Sequence, residues 1–320
     1  MSQQALEATA AGQMPPSPEV NARRRAPASG RVPFWLMTPS FAIMTVVSYV
    51  PLILAVVISV TALSIFSIGD VGQAGIVGLA NYLDVLNPAG PLSVLGPLRI
   101  SVLFTVITTL VAVPLGVGAA VLVNQQFRGR AALRTVMLIP FILPHFVTAL
   151  IWRLMFQSDT GAIDQVLRLL GIGGDYHLWL IGPNAFWALT IASIWSAWPF
   201  VYIMALAALQ AVPAEYYDAA EVDGAGILRR FWSITVPSIK PTLVLAVCLS
   251  VINQFNSFTL PFVLLGHPPS EEANVLPIEI YTTSFTANDY GHAAAIAVVN
   301  LLVLLIPIAY YLKKARSDEN

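Results

Sequence analysis

Long apolar stretches alternate with short polar segments from residue 34 onward. A helix needs about 20 mostly apolar residues to cross a hydrocarbon core of about 30 Å. Six stretches reach that length, at 34–63, 102–123, 132–156, 185–209, 242–265 and 293–312. The pattern therefore predicts an all-α integral membrane protein with six transmembrane helices, the first being one tilted or kinked helix.

Proline lies inside several of these stretches. In a soluble helix each would cost about 3 kcal/mol. Within a bilayer a proline is tolerated as a kink, because neighbouring helices satisfy the freed carbonyl groups. We therefore expect kinked crossings at Pro39, Pro51, Pro114, Pro140, Pro144, Pro199, Pro261 and Pro307.

Basic residues distinguish the two sides of the membrane, because Lys and Arg concentrate in short cytoplasmic loops. With the N-terminus inside, thirteen of the sixteen Lys and Arg residues fall on the inner side. The count predicts cytoplasmic N- and C-termini. The polar and apolar pattern divides the chain into a flexible polar tail at 1–31, a six-helix domain at 32–316 and a second tail at 317–320. The 1–31 tail is not a signal peptide, since its apolar segment begins late and runs long.

The composition agrees with a chain that lives in a lipid bilayer. It is 57% hydrophobic with a mean hydropathy of +0.75, and 10% of its 320 residues are charged, against about 25% in a soluble domain. A net charge of −1 supplies no basic field for nucleic acid. The lone Cys248 excludes an internal disulfide. No metal-ligand spacing joins the histidines, which are interpreted as interfacial or loop residues: His145, His177, His267 and His292.

The inner loop at 212–241 is long, charged and patterned as helix, glycine break, helix. Pro213 suits a first helical position, and Glu215 and Asp218 favour the positive end of the helix dipole. Gly224 offers the left-handed conformation that ends such a helix.

The second helix of this loop places its apolar residues at i, i+4 and i+7 on one face, and a proline is expected to stop it. The apolar positions are Ile227, Phe231 and Ile234, and the proline is Pro237. Two short helices at the membrane surface would form a rigid lever. An ordinary amphipathic loop packed on the protein's own helices is the alternative.

These residues carry a family resemblance. The run Asp218-Ala219-Ala220, then Gly224, then Ile234-Thr235-Val236-Pro237 resembles the Glu-Ala-Ala motif of the membrane permeases of binding-protein-dependent ABC importers. Asp218 stands where that family usually has Glu, and Val236 where it has Leu. Segments 78–82 and 289–295 look like the carbohydrate-importer branch, which contains maltose and glycerol-3-phosphate permeases. The resemblance covers roughly residues 34–314.

The resemblance implies a type I ABC importer permease fold in a bacterial plasma (inner) membrane. It further implies four partners: cytoplasmic ATPase subunits, a second homologous permease, an extracytoplasmic solute-binding protein and a small polyhydroxylated solute. The first short helix would be the coupling helix that docks on the ATPase. Its small alanines allow close approach and its carboxylates can meet basic groups. The expected coupling residues are Glu215, Asp218, Ala219, Ala220, Glu221, Asp223, Gly224, Phe231 and Pro237.

The chain has no nucleotide-binding motif of its own. A P-loop needs Gly-Lys-Ser/Thr, and none of Lys240, Lys313 and Lys314 follows a glycine. We therefore expect a non-catalytic subunit without a cofactor, with ATP and Mg²⁺ bound by the partner ATPase.

Polar side chains cluster in the fifth apolar stretch, where an unsatisfied amide would cost several kcal/mol. Residues 253, 256 and 257 would share one helical face and could hydrogen-bond sugar hydroxyls. Trp195 and Ser196 are further facing candidates. The expected substrate path is Asn253, Gln254, Asn256, Ser257, Trp198, Tyr202 and Asn300. The alternative is that these groups bond one another between packed helices.

A different functional class also remains open at this point. A self-sufficient secondary transporter or channel could use 212–241 as a gating loop. Such proteins usually carry paired internal repeats or a membrane-buried carboxylate. The sequence has no clear repeat, and no Asp or Glu lies at the centre of the six stretches.

Overall fold

The computed structural model describes residues 31–69, 74–172 and 177–318. The predicted 1–31 tail lies outside them apart from Arg31, and so do residues 319 and 320. The chain divides into two units, Met1–Leu52 and Ile53–Asn320. In the first unit, α1 (Arg31–Met44) and a π-helical turn (Thr45–Tyr49) lead into the start of α2 (Val50–Ser59).

The first apolar stretch is helical without interruption from residue 31 to residue 59. Its apolar candidate span is Leu36–Ser59, so the helix ends before the predicted residue 63. The π turn, closed by a bond from the Val50 N–H to the Thr45 carbonyl, ends two residues before Pro51. Proline has no N–H and clashes with the carbonyl four residues earlier in a regular helix, and a wider turn relieves both constraints.

The regular elements of the second unit, within its described residues, are helices joined by turns and loops. Its 3₁₀ turn is Glu271–Ala273, and its π turns are Phe231–Thr235 and Thr282–Thr286. Its α-helices are α3 (Ala80–Leu86), α4 (Leu95–Asn124), α5 (Arg130–Ile142), α6 (His145–Met155), α7 (Ala162–Leu169), α8 (Pro183–Gln210), α9 (Ala214–Val222), α10 (Ile227–Arg230), α11 (Val236–Phe255), α12 (Thr259–Leu265), α13 (Leu276–Tyr281) and α14 (Tyr290–Asp318). The predicted all-α class is confirmed.

Within the described ranges, five helices are long and apolar enough to cross a membrane. They are Leu36–Ser59, Leu95–Asn124, Pro183–Gln210, Ile227–Phe255 and Tyr290–Lys314. The predicted crossing at 132–156 is different: α5 and α6 meet at an angle of 92°. Leu143, between them, is extended because it precedes Pro144. Counting this bent pair as one span gives six.

The central contact of the second unit joins α4 to α8. A Cβ on Gly116 would lie 2.7 Å from the Val201 Cβ and 2.8 Å from both the Trp198 carbonyl and the Tyr202 nitrogen. Only a residue without a side chain permits this approach. The surrounding cluster is built of Val117, Ala120, Val123, Val201, Tyr202, Ala205, Leu209 and Ile239.

Two segments that carry the family resemblance pack against each other at the end of α2. The Asn81 amide donates to the carbonyls of Ser59 and Thr61, both at 2.9 Å. The Gly291 N–H donates to the Leu63 carbonyl at 2.9 Å, and a Cβ on Gly291 would collide with the Thr61 carbonyl. Hydrogen bonds from both segments thus hold the 59–63 backbone.

The segment between α6 and α8 is organised by one buried carboxylate. Asp164 is 1% exposed and accepts hydrogen bonds from the Trp179 Nε1 at 2.7 Å, the Asp159 N–H at 3.1 Å and the His177 N–H at 3.2 Å. Burial alone would raise its pKa. The hydrogen bonds outweigh burial and lower the pKa from 3.8 to about 2.

Substituting Gly116 with alanine is expected to force α4 and α8 apart and lower the free energy of unfolding by about 1–3 kcal/mol. The matched control is Gly118→Ala on the same helix, where a new Cβ meets nothing within 4 Å. Thermal unfolding in detergent measures both variants. Equal midpoints would contradict this account of the α4–α8 contact.

Asp164 is expected to make stability depend on acid pH. Because its folded pKa is lowered from 3.8 to about 2, its stabilisation is complete above about pH 4 and is lost as the pH falls toward 2. The thermal midpoint, followed over that window, should fall less steeply in Asp164→Asn than in the unmodified protein. Identical pH profiles would show that the carboxylate does not supply this dependence.

Candidate functional sites: the 212–241 segment and a polar cavity

The first helix of the 212–241 segment is α9. Pro213 is its N-cap, with φ −59° and ψ 135°, rather than its first helical residue as predicted. The carboxylates of this helix and its C-terminal end are all exposed to solvent, as is Ala219, while Ala220 is half-buried. The four acids are Glu215, Asp218, Glu221 and Asp223. Glu221 is paired with Arg230, but none of the four acids is buried.

Gly224 ends this helix in the left-handed conformation that the sequence predicts, with φ +72°. Its N–H bonds to the Glu221 carbonyl at 3.0 Å, and the Ala225 N–H bonds to the Ala220 carbonyl at 2.8 Å. These bonds satisfy carbonyls that the helix end would leave free. The glycine is exposed, and a Cβ there would meet nothing within 4 Å.

Side chains on both sides of Gly224 join the two halves of the segment. Tyr217 Oη lies 3.1 Å from Thr235 Oγ1, and Arg230 Nη1 lies 2.9 Å from Glu221 Oε2. The glycine break is therefore bridged by one hydroxyl pair and one ion pair, which hold α9 against the helix that follows.

The second helix does not stop at Pro237, contrary to the prediction. From Ile227 the chain passes through α10, the π turn Phe231–Thr235 and α11 to Phe255 as one span. The Val236 N–H bonds to the Phe231 carbonyl, and this wide turn accommodates Pro237 just as the turn before Pro51 does. The second half of the 212–241 segment is thus the beginning of the Ile227–Phe255 span. Phe231 is half-buried and packs against the Tyr202 cluster.

Large apolar side chains lie on the surface of the same segment. Val222 is 89% exposed, Ile227 79% and Trp232 64%, and Leu228 and Tyr216 are also exposed. Apolar groups exposed in one place, with acids beside them, are typical of a surface that meets a protein partner.

A polar cavity of about 360 Å³ lies at the far end of the Ile227–Phe255 helix. The α5–α6 break, α8, the end of α11 and the start of α12 form its walls. Its lining is Phe141, His145, Ser193, Ser196, Ala197, Phe200, Ser250, Asn253, Gln254, Asn256, Ser257, Phe258, Thr259 and Leu260. Four predicted path residues, at 253, 254, 256 and 257, lie together here, with Ser196 opposite.

The reason they converge differs from the prediction of one face on a helix continuing to 265. Helix α11 ends at Phe255, Asn256 is its C-cap, and α12 begins only at Thr259. The polar side chains come together because the chain turns between two helices. An irregular backbone at membrane depth is tolerated where it lines a polar cavity.

The remaining predicted path residues lie outside this lining. Asn300 is buried behind it and donates from Nδ2 to Asn256 Oδ1 at 3.1 Å. Tyr202 is 1% exposed and belongs to the core, its ring 6.1 Å from that of Trp198. The Trp195 ring lies 6.0 Å from that of Trp152. Asn300 therefore positions a lining residue, whereas Tyr202 is occupied by packing.

Sequence reasoning missed His145, Phe141 and Phe200, which line the cavity. His145 and Phe141 reach it because α5 and α6 are bent apart. The available signal is the pair Pro140 and Pro144, four residues apart, at which the sequence predicts kinks rather than a break.

Residues 112–316 match the model of the binding-protein-dependent transport system inner membrane component. The chain belongs to this family. It is a multi-pass inner-membrane permease of the ABC importer type, as the 212–241 motif predicts.

Several relatives of this permease are named for the transport of sugars or their derivatives. The trehalose/maltose transport system permease protein MalF of Thermococcus litoralis is 33% identical over 218 residues, covering 68% of this chain and 73% of the relative. The sulfoquinovosyl glycerol permease SmoG of Agrobacterium fabrum is 35% identical over 220 residues, covering 67% and 71%. The sn-glycerol-3-phosphate permease UgpA of the same organism is 30% identical, covering 68% and 74%.

Solved structures share the fold of this permease. A chain of the bacterial alginate ABC transporter, solved with a periplasmic protein that carries an alginate pentasaccharide, superposes with a TM-score of 0.75. The match covers 90% of this chain and 94% of that chain at 19% identity. The importer permease architecture predicted from the motif is confirmed.

Removing the Tyr217 hydroxyl should loosen α9. Tyr217→Phe is expected to lose about 0.5–1.5 kcal/mol of local stability, because Thr235 loses its partner. Amide hydrogen exchange across 214–222 should become severalfold faster. Tyr216→Phe is the matched control, since that ring is 57% exposed, and it should exchange like the unmodified protein. Equal exchange in both variants would contradict the role of the bridge.

Proposed function

We propose that this permease passes a sugar or sugar-like solute, received from an external binding protein, through the polar cavity, and that the 212–241 segment couples it to a cytoplasmic ATPase. The observation that carries the proposal is the helix Ile227–Phe255. One end of it is the exposed motif segment, and the other end is a wall of the cavity. A 29-residue helix is about 43 Å long, enough to join the two membrane faces.

The basic residues support an orientation with this segment in the cytoplasm. Arg229, Arg230 and Lys240 accompany it, and the last span ends beside Lys313 and Lys314. Since Lys and Arg concentrate in short inner loops, both ends of the chain would lie inside. The loops at 157–184 and 266–290 would then face the binding protein.

The surface of α9 suits a groove on an ATPase subunit. Ala219 is small and exposed, so a partner backbone could come close to it. The neighbouring acids Asp218 and Glu215 are exposed as well, and Val222 adds apolar area. A complementary groove would be apolar at its floor and basic at its rim. A second permease of the same family would complete the transport path.

The mechanism follows from the stiffness of the connection. When ATP closes the ATPase dimer, the partner surfaces would draw α9 with them. The bridges Tyr217–Thr235 and Glu221–Arg230 pass that displacement to the long helix rather than letting it dissipate at Gly224. Its far end carries Asn253 and Gln254, so the cavity would be reshaped in the same movement. This chain supplies no nucleotide chemistry.

The lining of the cavity favours a neutral solute. It offers amides, hydroxyls, the His145 imidazole and three phenylalanine rings, and among the described lining residues none is Asp, Glu, Lys or Arg. An anion placed here would be poorly compensated, since a buried unpaired charge is costly. Amides and hydroxyls can instead exchange hydrogen bonds with the rim of a sugar, and apolar rings suit its C–H faces.

The test of coupling is Gly224→Leu in the assembled transporter reconstituted in liposomes. Membrane insertion should be preserved, because a Cβ at this position meets nothing within 4 Å. Solute uptake and solute-stimulated ATP hydrolysis should each fall at least about tenfold, since a displaced docking helix loses well over 1.4 kcal/mol of contact. Gly129→Leu is the matched control, because Gly129 also has a positive φ, +90°, and open space around it.

Two outcomes would overturn the proposal. Uptake in Gly224→Leu that equals the Gly129→Leu control would show that the segment does not couple. Purification in mild detergent without any ATPase would instead point to a self-sufficient transporter or channel, in which 212–241 acts as a gating loop.

A further inference from the structure

An aromatic ladder leads away from the polar cavity. Its five rings are Phe258, Phe262, His267, Tyr281 and Phe285. Phe258 lines the cavity and stacks on Phe262 at 5.1 Å. Tyr281 follows at 5.1 Å from Phe262 and 5.2 Å from His267. Phe285 ends the ladder, 5.1 Å from Tyr281.

The ladder is held in place by elements outside the predicted transport path. Phe258 is the N-cap of α12 and Phe262 lies within that helix, while α13 and the following π turn carry Tyr281 and Phe285. His267 is fixed between them by a hydrogen bond of 3.0 Å between its Nε2 and Thr286 Oγ1. Its Nδ1 is buried without a hydrogen-bond partner.

The ladder differs from the rings that build the core. Phe104 and Phe156 are each 1% exposed. Every ring of the ladder keeps some accessible surface, and Phe285 is 66% exposed. Phe262 is covered on both faces, by Phe258 and by His267, so the accessible ring of the ladder is Phe285 at its outer end.

The chemistry of the ladder matches that of the cavity it joins. It contains no acid, lysine or arginine, and its rings present π faces with negative potential. The C–H faces of a pyranose ring carry the complementary positive edge. We propose that the ladder is an entry subsite, where a pyranose ring of the solute stacks before it reaches the cavity. This inference rests on the proposed function, because it takes the 266–290 segment as the external side.

The experiment compares three variants of the reconstituted transporter complex. Phe285→Leu keeps an apolar side chain but removes the ring, Phe285→Trp keeps a ring, and Phe127→Leu changes an exposed ring outside the ladder. The probe is methyl α-D-glucopyranoside, whose contact is measured by saturation-transfer NMR. Sorbitol, an acyclic polyol, is the control ligand, because its contact with the protein cannot depend on a pyranose ring.

Phe285→Leu should weaken binding of the glucoside about fivefold, while Phe285→Trp and Phe127→Leu bind it like the unmodified protein. Sorbitol should respond equally in all four. In transport assays Phe285→Leu should raise KM without changing the maximal rate, because the coupling segment is intact. If the glucoside gave the same saturation-transfer signal with Phe285→Leu as with the unmodified protein, the ladder would not be an entry subsite. Loss of coupled uptake in Gly224→Leu is a separate result, so the two proposals fail independently.

Discussion

A hydrocarbon interior offers no hydrogen-bond partner to a polypeptide backbone, and much of this architecture follows from that constraint. Most of the apolar stretches stay helical through their prolines. Pro51 and Pro237 each follow a π turn that makes room for the ring. Within the described residues, the chain leaves the helix inside two apolar stretches, at 143–144 and at 256–258. Both breaks border the same cavity, where polar partners are present.

The helix breaks bring polar groups to the cavity, and the polar cavity in turn tolerates the breaks. A turn between α11 and α12 frees backbone groups and brings Asn253, Asn256 and Ser257 to one place. The bent α5–α6 pair adds His145 from the opposite side. Asn300 donates to the Asn256 oxygen from behind, and the Asn256 Nδ2 donates to the Ile252 carbonyl at 3.2 Å, so both ends of this amide are held. The result is a neutral, hydrogen-bonding space suited to hydroxyl groups.

The unbroken helix through Pro237 also supports the mechanical connection that we propose between α9 and the cavity. If Pro237 had ended the second short helix, a flexible connection would separate the motif segment from the span. Because a π turn absorbs the proline, α9 is held by its two bridges against a helix that reaches the cavity wall. Charged residues are scarce in this chain, and four of its seventeen acids are exposed on and beside α9.

Local pattern in the sequence was enough for the elements whose form depends on neighbouring residues. The apolar lengths predicted the spans, Gly224 predicted the left-handed end of α9, and the cluster at 253–257 predicted polar groups that share one space. The 212–241 motif predicted the family. Each of these properties depends on residues only a few positions apart.

Tertiary structure alone decided what each proline does and which side chains meet. Whether a proline kinks, widens or breaks a helix depends on which neighbours can satisfy the freed carbonyl groups, so the 92° bend at Pro144 and the continuous helix at Pro237 were mispredicted. Gly116 matters because α8 lies against it, and Tyr202 is buried for the same reason. Those partners are more than 80 positions away from Gly116 in the chain, beyond the reach of any local period.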